Sequence, residues 1–179
     1  MKIEILKESG YNEAITGLSL SYGTTFERSE EISKKLYNKD GGHNKFLEMI
    51  YVWLDVIAPR YWWQEADTYR ISTKQSASTM HTLHKEEFTQ NNFQYSIQPE
   101  YLNYLNKRRY DLISKKISLE GLKNDLPEGF LQKRIWCISY KTLRNIISQR
   151  KNHKLKGWEY FCEYVLSNTK YNYFFDDLK

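Results

Sequence analysis

Apolar and polar residues alternate through MKIEILKE at the start of the chain, with Ile3 and Ile5 on one face, and that period of two predicts a strand over residues 1–8. A short helix follows from Tyr11. Ser29 stands as the N-cap of the next helix, with Glu30 and Glu31 in its first turn and Asp40-Gly41-Gly42 at its end. Residues 46–57, FLEMIYVWLDVI, are dense in β-branched and aromatic side chains and predict a buried strand. Pro59 stops that strand and opens an aromatic helix over 59–69. Beyond His81 the chain turns polar until Pro99 opens a longer helix, with Leu102, Leu105, Leu112 and Ile113 inward and Lys107, Arg108 and Arg109 solvated. The segment SLEGLKNDL forms a further short helix before Pro127. Residues 132–138, QKRIWCI, predict a strand, and 139–152 a helix that buries Leu143, Ile146 and Ile147. A last helix aligns Leu155, Trp158, Phe161 or Cys162, and Val165 or Leu166. No repeat or low-complexity linker interrupts the pattern, so one domain over 1–179 is expected.

Two places carry polar groups that packing does not explain. The helix 59–69 delivers Gln64, Glu65, Asp67, Tyr69 and Arg70 into a stretch where Ser72, Thr73, Lys74, Gln75, Ser76, Ser78 and Thr79 crowd together. Such a stretch offers donors to phosphate oxygens; as plain structure it is a polar edge strand or loop. Arg150 falls three and four residues after Ile147 and Ile146, so it continues the buried face of its helix, and a buried-side arginine calls for an anion. Lys141 on the same helix is a second cation for such a ligand, while a salt bridge or carbonyl cap is the plainer role for Arg150. A flat, polar, phosphorylated molecule suits this mixture.

Charge and composition narrow the field. The formal charge of +5 points to an anionic partner, yet the basic residues are interleaved with acids and line up on no single element, which places single-stranded nucleic acid last among the readings. The 16% aromatic content serves cores, subunit interfaces and stacking surfaces alike. Cys137 and Cys162 show no CxxC spacing and read as reduced core thiols of a cytoplasmic protein. The four histidines, His43, His81, His84 and His153, lack metal-ligand spacing, so no metal is expected. The longest apolar run is too short to cross a bilayer. No Walker loop, GxGxxG, GxSxG or HExxH occurs, so any nucleotide must be held by side chains.

Two segments together resemble the flavin-dependent thymidylate synthases, the ThyX family. Ala58-Pro59, Gln64-Glu65, Thr68-Tyr69-Arg70 and, seven residues on, Ser78 follow the frame of that family's signature. Ile138 to Leu143, Ile146-Ile147, Gln149-Arg150, His153 and Trp158-Glu159 follow its C-terminal helix. The likeness is greatest to small, divergent ThyX-like proteins of phages and their Gram-positive hosts, through the Tyr-Trp-Trp, Ser-Thr-Met-His and Arg-Lys-Asn-His-Lys-Leu runs at 61–63, 78–81 and 150–155. The resemblance implies an α+β fold with a central, mostly antiparallel sheet, a homotetramer with pockets between subunits, FAD as cofactor and a nucleotide held at Arg150. It also implies a site built from Gln64, Glu65, Arg70, Lys74, Gln75, Ser76, Ser78, Arg134, Lys141 and Arg150, with Ser78, Tyr69 and Gln75 nearest any chemistry.

The departures limit what carries over. Thr68, Tyr69, Ser76 and Met80 stand where the family has arginine, histidine, glutamate and arginine. Two lost arginines remove charge-assisted bonds worth roughly 1.5–3 kcal/mol each, unless Lys74, Lys141, Arg134 or Arg60 replaces them. A nucleotide-binding protein with reduced or altered chemistry is therefore expected ahead of an active synthase methylating dUMP.

Overall fold

In the computed structural model, which describes residues 1–179, the buried strand predicted over 46–57 becomes the inner strand β2, Tyr51–Pro59. Val52, Leu54, Val56 and Ala58 are fully buried on one face of it. Its neighbour is β4, Leu131–Ser139, and β1, Lys2–Ser9, and β3, Ser72–Ser76, lie at the edges of a sheet ordered β1-β2-β4-β3. The β2–β4 pair is antiparallel, because Arg60 N–H donates to the Phe130 carbonyl and Tyr140 N–H donates to the Ile50 carbonyl, so one index rises as the other falls. The hydroxyl-rich stretch is thus an edge strand, the plainer of its two sequence readings.

The chain divides into two compact units, one of residues 1–2, 56–68 and 75–134, the other of residues 3–55, 69–74 and 135–179. The first holds α3 (Arg60–Ala66), α4 (Thr79–Thr82), α5 (Pro99–Ile113) and α6 (Leu119–Asn124). Its core is Leu83, Phe88, Phe93, Leu105, Leu122, Leu126 and Phe130, with Leu102 and Leu112 packed against it. Ile113, expected inward, is 50% exposed. At about 100° per residue Leu112 returns to within about 20° of Leu105, whereas Ile113 falls about 80° away. Arg108, expected in solvent, donates to Asp125 at 2.6 Å.

The second unit holds α1 (Tyr11–Tyr22), α2 (Phe26–Leu36), α7 (Tyr140–Arg150) and α8 (Lys156–Asn168). Gly10 precedes α1 at φ 92°, and a Cβ there would stand 2.0 Å from the Met49 carbonyl oxygen, so this turn demands glycine. The strand expected over 46–57 begins late. Lys45–Glu48 is a 3₁₀ turn that buries Phe46 and Leu47 side by side, and true alternation starts only at Val52. Nor is Ser29 a cap. Thr25 accepts from Arg28 N–H and starts α2, while Ser29 sits inside the helix with a buried, unpartnered hydroxyl. The helix expected over 59–69 stops at Ala66.

The chain ends in a 3₁₀ segment, Asn172–Leu178, that no sequence pattern announced. Phe174 and Phe175 are fully buried, Tyr140 stacks on Phe175, and Arg144 grips both oxygens of Asp177 at 2.8 and 2.7 Å. Both cysteines are free thiols. No helix is long and apolar enough to cross a membrane.

Replacing Thr25 by alanine is expected to cost about 1 kcal/mol in denaturant unfolding, whereas S29A, which deletes a buried unsatisfied hydroxyl, is expected to be neutral or stabilising. Equal losses would contradict the cap assignment. The hydrogen bond from Arg144, ahead of its charge, holds the Asp177 carboxyl below the usual range against the opposing pull of burial. A depressed carboxylate adds stability that is present above its unfolded pKa of about 4 and is lost as pH falls through the lower folded value. D177N is therefore expected to lower the melting temperature at pH 7, with the gap to the parent closing as pH falls below about 4; a gap constant with pH would count against the ion pair.

Candidate functional site

The periodicity of α7 determines where its last charge goes. Ser139 caps the helix by accepting from Thr142 N–H, and Leu143, Ile146 and Ile147 are fully buried. Seven residues after Leu143, Arg150 returns to nearly the same face and is half-buried rather than projecting into solvent. Its guanidinium lies 5.1 Å from the Trp158 ring centroid and 5.7 Å from that of Tyr69. The Nε–H donates to Tyr69 Oη at 2.9 Å, and Nη1 stands 2.8 Å from His153 Nε2. Tyr69 is only 7% exposed and meets Trp158 edge-on.

The other end of Tyr69 reaches β3. Its carbonyl accepts from Ser72 Oγ at 2.8 Å and from Lys74 Nζ at 3.5 Å, and Lys74 lies 4.7 Å above the buried Trp136 ring. Thr142 Oγ1 donates to the Ile71 carbonyl at 3.2 Å and so fastens this segment to α7. Arg150 and Lys74, singled out separately in the sequence, both bind Tyr69. His153 adds a tension. Leu155 N–H donates to its Nδ1, which requires the ring proton on Nε2, yet an arginine can only donate to Nε2. A neutral imidazole satisfies one of these contacts at a time. The nearby Cys162 thiol is pushed by burial up to about 12, so it stays protonated and unreactive.

Several expected site residues have other partners. Lys141 binds Asn44 and stands 3.7 Å from Asp40 at the opening of α7, roughly 13 Å along the axis from Arg150. In the other unit, Arg134 Nη1 donates to both oxygens of Asp67 at 2.9 and 3.0 Å, and the guanidinium lies 4.5 Å from the Trp63 ring centroid. Arg60 donates to the Leu126 carbonyl, and Gln64 donates to Glu128. Glu65 is half-buried; Arg70, Gln75, Ser76 and Ser78 are exposed, and the Ser78 carbonyl accepts from the His81 and Thr82 N–H groups of α4. That unit also has a cleft of about 340 Å³ lined in part by Ala77, Thr79, Lys85, Asn92, Gln132 and Lys133. Lys85, Lys133 and the ring contacts of Trp136 and Trp158 were not foreseen as site features, since isolated lysines and core-spaced tryptophans carry no signal of their own. No group of three or more His, Cys, Asp or Glu side chains is placed to hold a metal ion.

Comparison with known proteins agrees with this architecture. Two crystal structures of thymidylate synthase X from Helicobacter pylori, both with FAD and dUMP, superpose with a TM-score of 0.82 over 99% of either chain, at 17% and 18% identity. At that identity the likeness shows the fold, an α+β sheet with flanking helices. No curated protein matches the chain. The family model for the thymidylate synthase complementing proteins, Thy1, matches residues 8–166, and with nearly the whole chain inside that match the protein belongs to this family.

Proposed function

We propose that this chain binds a nucleotide through its phosphate at Arg150, with chemistry reduced or altered relative to the flavin-dependent synthases. One observation carries the reading: the half-buried guanidinium is oriented by Tyr69 Oη and His153 Nε2 against two aromatic rings. A cation held this way is preorganised for an oxyanion, and the rings beside it suit a flat base. Lys74 adds a second positive charge on the same tyrosine. The relatives of like fold were crystallised with FAD and dUMP, which makes a deoxyuridylate the first ligand to try.

The residues present do not fit a flavin in the manner the resemblance implies. The Thr68 hydroxyl donates to the Glu65 carbonyl, Tyr69 is engaged by Arg150 and Gln149, and Met80, 56% exposed, offers no charge. The homotetramer belongs to the same proposal, with a second copy completing the pocket, and sedimentation of the purified protein tests it.

Isothermal titration with dUMP is expected to show binding that R150A weakens by about 10- to 100-fold, as the loss of charge-assisted bonds requires. Unchanged affinity in R150A would overturn the reading. Incubation with FAD followed by desalting is expected to leave the protein colourless; a yellow protein that oxidises NADPH when dUMP is present would make it an active synthase instead.

A further inference from the structure

We propose that Met80 is a redox modification site, whose oxidation by a peroxide to the sulfoxide fastens α4 onto α6. The groups involved lie in the first unit, and neither Arg150 nor a nucleotide takes part. The four-residue helix α4 buries none of its side chains. Its one side-chain hydrogen bond to another element runs from Lys123 Nζ, in α6, to Met80 Sδ at 3.7 Å. A thioether is a weak acceptor, so a charged donor directed at it gains little. Its own helix is firmly seated by contrast. Leu122 is fully buried, and Arg108 of α5 donates to Asp125, at the end of α6, at 2.6 Å.

Oxidation exchanges the acceptor and keeps the donor. A lone pair on Sδ attacks one oxygen of hydrogen peroxide, and the S–O bond forms as the O–O bond breaks. The displaced hydroxide leaves as water with the proton from the oxygen now on sulfur, so sulfur gives up the two electrons that the peroxide gains. The new oxygen carries the negative end of a polar bond. Standing one bond out from Sδ, it comes within reach of the Lys123 ammonium, and a charge-assisted hydrogen bond replaces a weak one. Met80 is 56% exposed against 47% for Met49, so peroxide reaches its sulfur first and the added oxygen disturbs no packed core. Thr79 and Thr82, three apart on a different side of this single turn, line the cleft of about 340 Å³. Sulfoxide at position 80 thus steadies one wall of that cleft, and a sulfoxide reductase releases it.

The test treats the whole chain with hydrogen peroxide. Peptide mass mapping is expected to find the added oxygen on Met80 ahead of Met49. Amide hydrogen exchange over residues 79–83 is expected to slow about tenfold in the oxidised protein, as the gain of a hydrogen bond to a charged group implies. Treatment with a methionine sulfoxide reductase is expected to restore the starting rate. K123A removes the ammonium and M80L the sulfur, and in both variants peroxide is expected to leave this exchange unchanged. Oxidation of Met49 before Met80, exchange over 79–83 no slower once Met80 is oxidised, or an equal slowing in K123A or M80L would overturn the proposal.

Discussion

A helix that buries Leu143, Ile146 and Ile147 must carry Arg150 toward the same side, and a cation brought to the margin of a core has to be met by acceptors and polarisable faces. Around Arg150 these are the Tyr69 hydroxyl, the His153 ring nitrogen and the faces of Tyr69 and Trp158. Cation–π contacts of this kind contribute about 0.5–2 kcal/mol, enough to hold the guanidinium in place but well short of replacing its hydration. The arrangement is therefore steady. Arg144, on the same helix, is held differently, by both oxygens of Asp177.

How much of this could be read from the chain depended on whether the relevant information was local. The stripes of α7 and α8 follow from a side-chain period of 3.6 and formed where expected, whereas β2 starts later than its composition suggested. Errors arose where one residue type serves two purposes. Ser29 has the chemistry of a cap and Glu30 behind it, but Thr25 lies at the true helix start, and nothing within four residues distinguishes them. Phe46 and Leu47 look like strand residues because burial alone does not reveal whether neighbours point to one side or two. The 172–178 segment is held by Arg144, Lys151 and Tyr140, partners that only folding brings near.

The same division holds within the site. Arg150 was legible because its helix phase could be counted, and Lys74 because the stretch around it is polar without a packing reason. Arg134 and Lys141 were credible replacements for missing charge until their partners were known. Asp67 lies 67 positions from Arg134 and Asn44 lies 97 from Lys141, so no window of sequence shows that these cations are already paired. The link between Arg150 and Tyr69 spans 81 positions and was equally hidden, although both ends had been marked.

Tyrosine at position 69, where the signature it resembles has histidine, bears on the geometry around Arg150. An imidazole carries two ring nitrogens, whereas a phenol offers one oxygen that donates a single proton and accepts through its lone pairs. What it supplies is a fixed oxygen whose proton is already directed at Gln149 and whose lone pairs hold an arginine in its ligand-free state. Interactions formed before a reaction begins, and unchanged while it proceeds, lower the energy of the bound ground state and the transition state alike. They raise affinity and leave the barrier where it was. The contacts that Tyr69 makes with Gln149 and Arg150 are of that kind.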